Sequence, residues 1–201
     1  METRSDKFNT FNEPRKAGIM GHENPHLSDY YLYTSVFTTE ECQQILNLSR
    51  LKDSTTLSHA DKIIKILSLQ KNTTTTWILK RIWEIALKTN KMYYDFDIST
   101  ISESFLLECS KNSVFNWRTD IGKGSASTRK ISIVLFLSDR VAYEGGQLSF
   151  RILEEYDEIK EIPQIQGNLL LFPSYLPYKI TPVTRGIKYV LNTWVNGNAF
   201  C

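Results

Sequence analysis

The feature that most constrains the fold is a change of texture near residue 101. Before it, helical signals dominate. After it, short β-rich runs broken by Gly, Pro and Asn follow one another. Thr38-Thr39-Glu40-Glu41 reads as a capping box, with Thr38 as N-cap and Glu41 three residues on. It opens a helix whose apolar face carries Cys42, Ile45, Leu46 and Ser49. Residues 61–69 and 76 to about 91 read as two further helices, the Thr73–Thr76 run being the loop between them. In the last, Leu79, Trp83 and Leu87 lie four apart, with Ile78, Ile82 and Ile85 beside them. That spacing makes Trp77 and Trp83 core residues, a stacking platform being the alternative. A strand over 30–37 precedes the helices; those expected later cover 104–109, 130–137, 147–151, 158–162, 169–172, 178–181 and 188–195. Helices first and many short strands after imply an α+β chain ending in a β-sandwich or barrel.

Composition narrows the class. A chain of 201 residues, 41% hydrophobic and 23% charged, supports one globular domain with a sizeable core. No apolar run approaches the roughly 18 residues a membrane helix needs. The charged start, Met-Glu-Thr-Arg-Ser-Asp-Lys, does not read as a signal peptide, so a cytoplasmic or virion location is expected. Three widely spaced cysteines, Cys42, Cys109 and Cys201, exclude a disulfide framework. A net charge of +2, with basic residues in short pairs, gives no nucleic-acid signature. Residues 1–28 are polar, aperiodic and contain Gly and Pro; they read as an extended arm on a domain spanning 29–201. Such an arm is ordered by docking on its own domain, a partner subunit or a larger assembly, the last two being favoured.

Four stretches carry a family resemblance. They are Arg129-Lys130-Ile131-Ser132-Ile133-Val134-Leu135-Phe136-Leu137-Ser138-Asp139 and Tyr143-Glu144-Gly145-Gly146-Gln147-Leu148, then Gly167-Asn168-Leu169-Leu170-Leu171-Phe172-Pro173-Ser174 and Thr181-Pro182-Val183-Thr184-Arg185-Gly186-Ile187-Lys188-Tyr189. In this order and spacing the chain resembles the Fe(II)/2-oxoglutarate dioxygenases, in the prolyl-hydroxylase-like branch with the PKHD-type hydroxylases and related phage proteins. The resemblance covers roughly 30–196. It implies a double-stranded β-helix, a squashed barrel of two antiparallel sheets, with the N-terminal helices (a layer of about 38–91) packed on one sheet of a β core at about 101–196. It also implies an iron site of His-x-Asp and a distant His, leaving three metal positions for 2-oxoglutarate and O₂.

The resemblance aligns the first His with Arg118, the Asp with Asp120 and the distal His with Tyr178. Lys188, ten after Tyr178, stands where a basic residue meets the far carboxylate of 2-oxoglutarate; Cys109 stands where a Tyr often contacts that cosubstrate. Arg offers no lone pair to a metal, and a guanidinium about 4 Å from a divalent cation is repelled by about 8 kcal/mol. Tyr is a poor iron ligand at its ordinary pKa. The reading is a vestigial site without iron or 2-oxoglutarate, in which the Arg118 guanidinium takes the metal's place beside Asp120 and Tyr178 fills the remaining space.

Blander readings stand beside these: Asp120 as a turn residue, Lys188 as a strand lysine on a solvated face, and Gly145-Gly146 as turn geometry. Cys109 as a nucleophile and zinc at Asp6 and His22–His26 are weaker, the latter because Pro25 breaks helical ligand spacing. Three functions follow. The first is a pseudoenzyme serving as a structural or interaction component of an assembly held through the arm; the Lys-, Ile-, Asn- and Thr-rich composition suggests a phage virion. The second is an active hydroxylase using Fe(II) and 2-oxoglutarate, with a ligand from His22, His26, His59 or a partner chain. The third is an organic-anion or peptide-binding module.

Overall fold

The computed structural model describes residues 15–16, 30–50, 55–59, 62–69, 72–102, 104–152 and 158–200. The expected arm, apart from Arg15 and Lys16, lies outside the described residues, as do His22 and His26. Elements run in the order β1 (Arg15–Lys16), β2 (Tyr31–Tyr33), α1 (Thr39–Arg50), β3 (Thr55–His59), β4 (Lys62–Leu69) and α2 (Thr76–Thr89). A π turn over Asn90–Tyr94 extends α2. Then come β5 (Thr100–Ile101), β6 (Ser104–Cys109), β7 (Phe115–Arg118), β8 (Arg129–Phe136), β9 (Tyr143–Gly145) and β10 (Leu148–Ile152). The last are β11 (Glu158–Glu161), β12 (Leu169–Pro173), β13 (Tyr178–Ile180), β14 (Val183–Gly186) and β15 (Lys188–Asn196).

A nine-stranded sheet runs β1-β2-β12-β8-β15-β6-β4-β3, with β5 beside β15. A four-stranded sheet, β11-β10-β13-β7, packs against it, and β9 pairs with β14. The central strands β2, β8 and β12 are buried on both faces, which explains apolar runs such as Ile133–Leu137 and Leu169–Phe172. Ile131, Ile133 and Leu135 of β8 face the helices with Leu169 and Leu171 of β12. Their alternates Val134, Phe136, Leu170 and Phe172 face the small sheet, meeting Leu148, Phe150 and Tyr178. The chain thus has two cores sharing one wall.

The Thr38 cap forms: Glu41 N donates to Thr38 Oγ1 at 3.2 Å, and Thr38 N donates to a Glu41 carboxylate oxygen at 3.0 Å. Cys42 and Ile45 are buried, as the spacing requires. In α2 the buried stripe is Ile78, Leu79, Ile82, Ile85, Ala86 and Thr89, while Leu87 is 42% exposed. Trp77 and Trp83 pack against the core.

The helix expected over 61–69 is a strand. β4 forms a hairpin with β3 and pairs along its length with β6, from Ile64↔Cys109 to Leu69↔Ser104. Three isoleucines in Lys-Ile-Ile-Lys-Ile-Leu-Ser-Leu favour extended backbone, and the sheet edge at β6 supplies the hydrogen bonds. Strands β1, β3, β5, β7, β9 and β14 were not expected from sequence. The strand expected over 30–37 stops at Tyr33, where the chain bends towards the Thr38 cap.

Arg81 joins the two helices. Its two terminal nitrogens reach the two Glu41 carboxylate oxygens at 2.7 and 2.8 Å, and Nη1 also donates to Val36 O at 3.1 Å. The guanidinium lies 4.7 Å from the Phe37 ring centroid, and its hydrogen bonds hold the Glu41 carboxyl below the usual carboxylate range. Arg81→Ala is expected to cost about 1–2 kcal/mol in urea unfolding. A cost under about 0.5 kcal/mol would show that solvent screens the pair.

Candidate functional site

β7 and β13 pair with Tyr178 opposite Arg118, and the chain leaving β7 turns inward at Asp120. Main-chain nitrogens of Asp120 and Ile121 both donate to Ser174 O, at 2.9 and 3.0 Å, fixing this turn against the end of β12. Tyr178, 58 residues beyond Asp120, therefore meets Arg118 and Asp120 where β7 ends.

Asp120 is 5% exposed, and both of its carboxylate oxygens are hydrogen-bonded. Tyr178 donates its hydroxyl to Oδ1 at 2.8 Å. Ser132 Oγ and Trp194 Nε1 donate to Oδ2 at 2.7 and 2.9 Å. Ser174 Oγ lies 3.0 Å from Ser132 Oγ. Burial, then the adjacent Asp120 charge, pushes the Tyr178 phenol far above its ordinary pKa, so it stays a protonated donor.

Arg118 forms the ion pair with Asp120 that the sequence reading expects, but no hydrogen bond to its carboxylate. Its Nη2 is 3.9 Å from Asp120 Oδ1, beyond hydrogen-bond distance, and its side chain is 46% exposed. Tyr178, Ser132 and Trp194 occupy the carboxylate first, leaving the guanidinium at the rim. Arg129, unforeseen as a neighbour, donates from Nη1 to the Asp120 main-chain oxygen at 3.2 Å, with its Cζ 3.8 Å from the Trp194 ring centroid.

Lys188 is 2% exposed, which overturns the solvated-face alternative. Its ammonium donates to Gly146 O at 2.6 Å and to Gln164 Oε1 at 2.5 Å. Gln164 Nε2 donates to the same Gly146 oxygen at 3.2 Å, closing a triangle. Burial pulls the Lys188 pKa down to about 8. Gly146 has φ +60, and a Cβ there would lie 3.1 Å from Lys188 Cδ, so a bare backbone suits this approach. Cys109 lies opposite Lys188 in the register. Burial pushes its thiol up to about 11, the reverse of an activated nucleophile.

The donor set at Asp120 does not fit Fe(II). Its immediate neighbours are two guanidiniums without lone pairs, a phenol held protonated, the Ser132 hydroxyl and an indole N–H. Among the described residues no three His, Cys, Asp or Glu side chains gather as a metal site. No described helix is long and apolar enough to cross a membrane.

Of these neighbours, sequence reasoning missed Ser132, Ser174, Arg129, Trp194 and Gln164. The available signal was polarity out of place: Ser132 interrupts an apolar run at a position alternating with Ile131 and Ile133.

Residues 105–196 match the profile of the 2OG-Fe(II) oxygenase superfamily. The fold is accordingly that superfamily's double-stranded β-helix, here with few helices. It matches a Pseudomonas putida prolyl-4-hydroxylase structure with a TM-score of 0.71 over 86% of this chain and 94% of that one. At 14% identity this likeness is one of fold. In sequence the chain is similar to PKHD-type hydroxylases. It is 33% identical over 81 residues to one from Synechococcus sp. (strain CC9902), covering 40% of this chain and 35% of the relative. It is 30% identical over 111 residues to one from Synechococcus sp. (strain CC9605), covering 55% and 49%. The chain thus spans less than half the length of these curated relatives.

Proposed function

We propose that the chain is an iron-free version of the oxygenase fold, acting as a binding or interaction module within a larger assembly, such as a virion, rather than as an oxidase. In this reading Arg118 and Tyr178 stand at the two histidine positions of the family. The observation that supports it is the occupied carboxylate: iron at Asp120 would have to displace donors from Tyr178, Ser132 and Trp194. Lys188, already engaged by Gly146 and Gln164, is in this reading a structural cation rather than a cosubstrate contact.

Similarity to proteins named PKHD-type hydroxylases favours a second reading, an active hydroxylase. It needs a ligand from His22, His26, His59 or a partner chain. Anaerobic titration with Fe(II) and 2-oxoglutarate, then oxygen and a succinate assay, separates the two. The expected result is no stoichiometric iron and no succinate from the native chain, with iron binding in the Arg118→His/Tyr178→His variant. Stoichiometric iron and succinate from the native chain would establish the hydroxylase.

The assembly role is assigned to residues 1–28, although Arg15–Lys16 pairs with β2 of its own domain. Deleting 1–27 is expected to abolish association in sedimentation experiments while the domain stays folded. Unchanged association would remove the arm as the tether.

A further inference from the structure

We propose that the open end of the barrel binds a phosphate group between the guanidiniums of Arg118 and Arg129. This rests on the iron-free reading and names the ligand class of the same site.

The two arginines meet the same residue, Asp120, at different atoms. Arg118 Nη2 is 3.9 Å from Oδ1, and Arg129 Nη1 reaches the main-chain oxygen at 3.2 Å. Because three uncharged donors engage the carboxylate, it accepts no hydrogen bond from either guanidinium. Each guanidinium has five N–H donors, and the contact with Asp120 O is the hydrogen bond found for the pair among the described residues. Arg129 Cζ lies 3.8 Å from the Trp194 ring centroid, a cation–π contact that restrains the side chain. Arg118 lies 5.6 Å from the Phe115 centroid and stays half-exposed. Each cation raises the cost of the other: after burial and the opposing influence of Asp120, the Arg118 charge also lowers the proton affinity of Arg129.

This arrangement calls for an anion with more than one negative charge and acceptors in more than one plane. A carboxylate is planar and satisfies one fork. A phosphate presents tetrahedrally arranged oxygens and a second charge, which suits two forks.

The test is calorimetric titration of the full chain with inorganic phosphate at fixed ionic strength, with tryptophan fluorescence as a second readout. Phenyl phosphate and 2-oxoglutarate form parallel arms. Saturable 1:1 phosphate binding is expected, weakened about tenfold or more by Arg118→Gln and by Arg129→Gln. Equal affinity for phosphate and phenyl phosphate would assign the free anion, and tighter phenyl phosphate a monoester; both support the site. No saturable binding, unchanged affinity in Arg118→Gln, or tighter binding of 2-oxoglutarate than of phosphate would overturn it. Arg118 is half-exposed, so its variant keeps the test decisive even if Arg129→Gln perturbs packing. The anaerobic Fe(II) titration separates the two readings. Absence of both iron and phosphate binding overturns this inference alone, whereas iron binding without phosphate overturns both.

Discussion

Asp120→Ala is expected to destabilise the protein by about 3–5 kcal/mol, making it among the most damaging single changes outside the apolar cores. The reason is what it leaves behind. The Tyr178 hydroxyl, the Ser132 hydroxyl and the Trp194 indole N–H all donate to this carboxylate; Tyr178 and Trp194 would lose this acceptor, and Ser132 would keep only Ser174 Oγ. A buried donor left unsatisfied costs about 1–3 kcal/mol. Arg118 and Arg129 would also lose the negative charge nearest to them. For a chain of this size the loss corresponds to a fall of about 10 °C in Tm. Tyr178→Phe removes one donor and keeps the ring packed, so about 1–2 kcal/mol is expected there. Urea unfolding of both variants would decide. A cost near zero for Asp120→Ala would mean that water replaces the carboxylate freely as acceptor for these donors.

The second large effect is a dependence of stability on pH carried by Lys188. Burial lowers its folded-state pKa from 10.5 to about 8. Below pH 8 both folded and unfolded chains hold the proton, and the folded state bears the full penalty of a buried ammonium. Between pH 8 and 10.5 the folded chain has released a proton that the unfolded chain still binds, so stability rises with pH. The expected rise is about 2 kcal/mol between pH 7 and pH 9.5. Buried thiols oppose it: Cys42 and Cys109 are held up to about 11, so their ionisation in the unfolded chain erodes stability above pH 9. Subtracting the curve of Lys188→Met isolates the lysine. The fixed cost of leaving Gln164 Oε1 without a donor cancels across pH; Gly146 O keeps the Gln164 amide as its donor. A flat difference between pH 7 and 9.5 would show that the ammonium is hydrated.

Legibility from sequence followed physics that differs between elements. The Thr38 cap and the apolar runs of β6, β8, β12 and β15 were readable because local rules dictate them. The run over 62–69 was misread because its isoleucines fit helical and extended spacing alike, and only the distant edge of β6 decides between them. β7, β9 and β14 are three or four residues long, too short for any period to emerge. At the site, motif spacing brought Arg118, Asp120 and Tyr178 to attention. It did not reveal that Arg118 would be outcompeted, because Ser132 and Trp194 reach Asp120 through strand register rather than through sequence proximity. Register sets Trp194 opposite Ser132, and that pairing is long-range information.

The wall shared by two cores has a consequence for substitution. Along β8, Ile131, Ile133 and Leu135 answer to the helices, while Ser132, Val134 and Phe136 answer to the barrel. β15 divides in the same way, with Leu191 and Val195 on one side and Lys188, Val190 and Trp194 on the other. Each strand therefore carries two separate inheritances, one at alternate positions to the other. On such strands a substitution in the barrel set leaves the packing of the helix-facing set untouched.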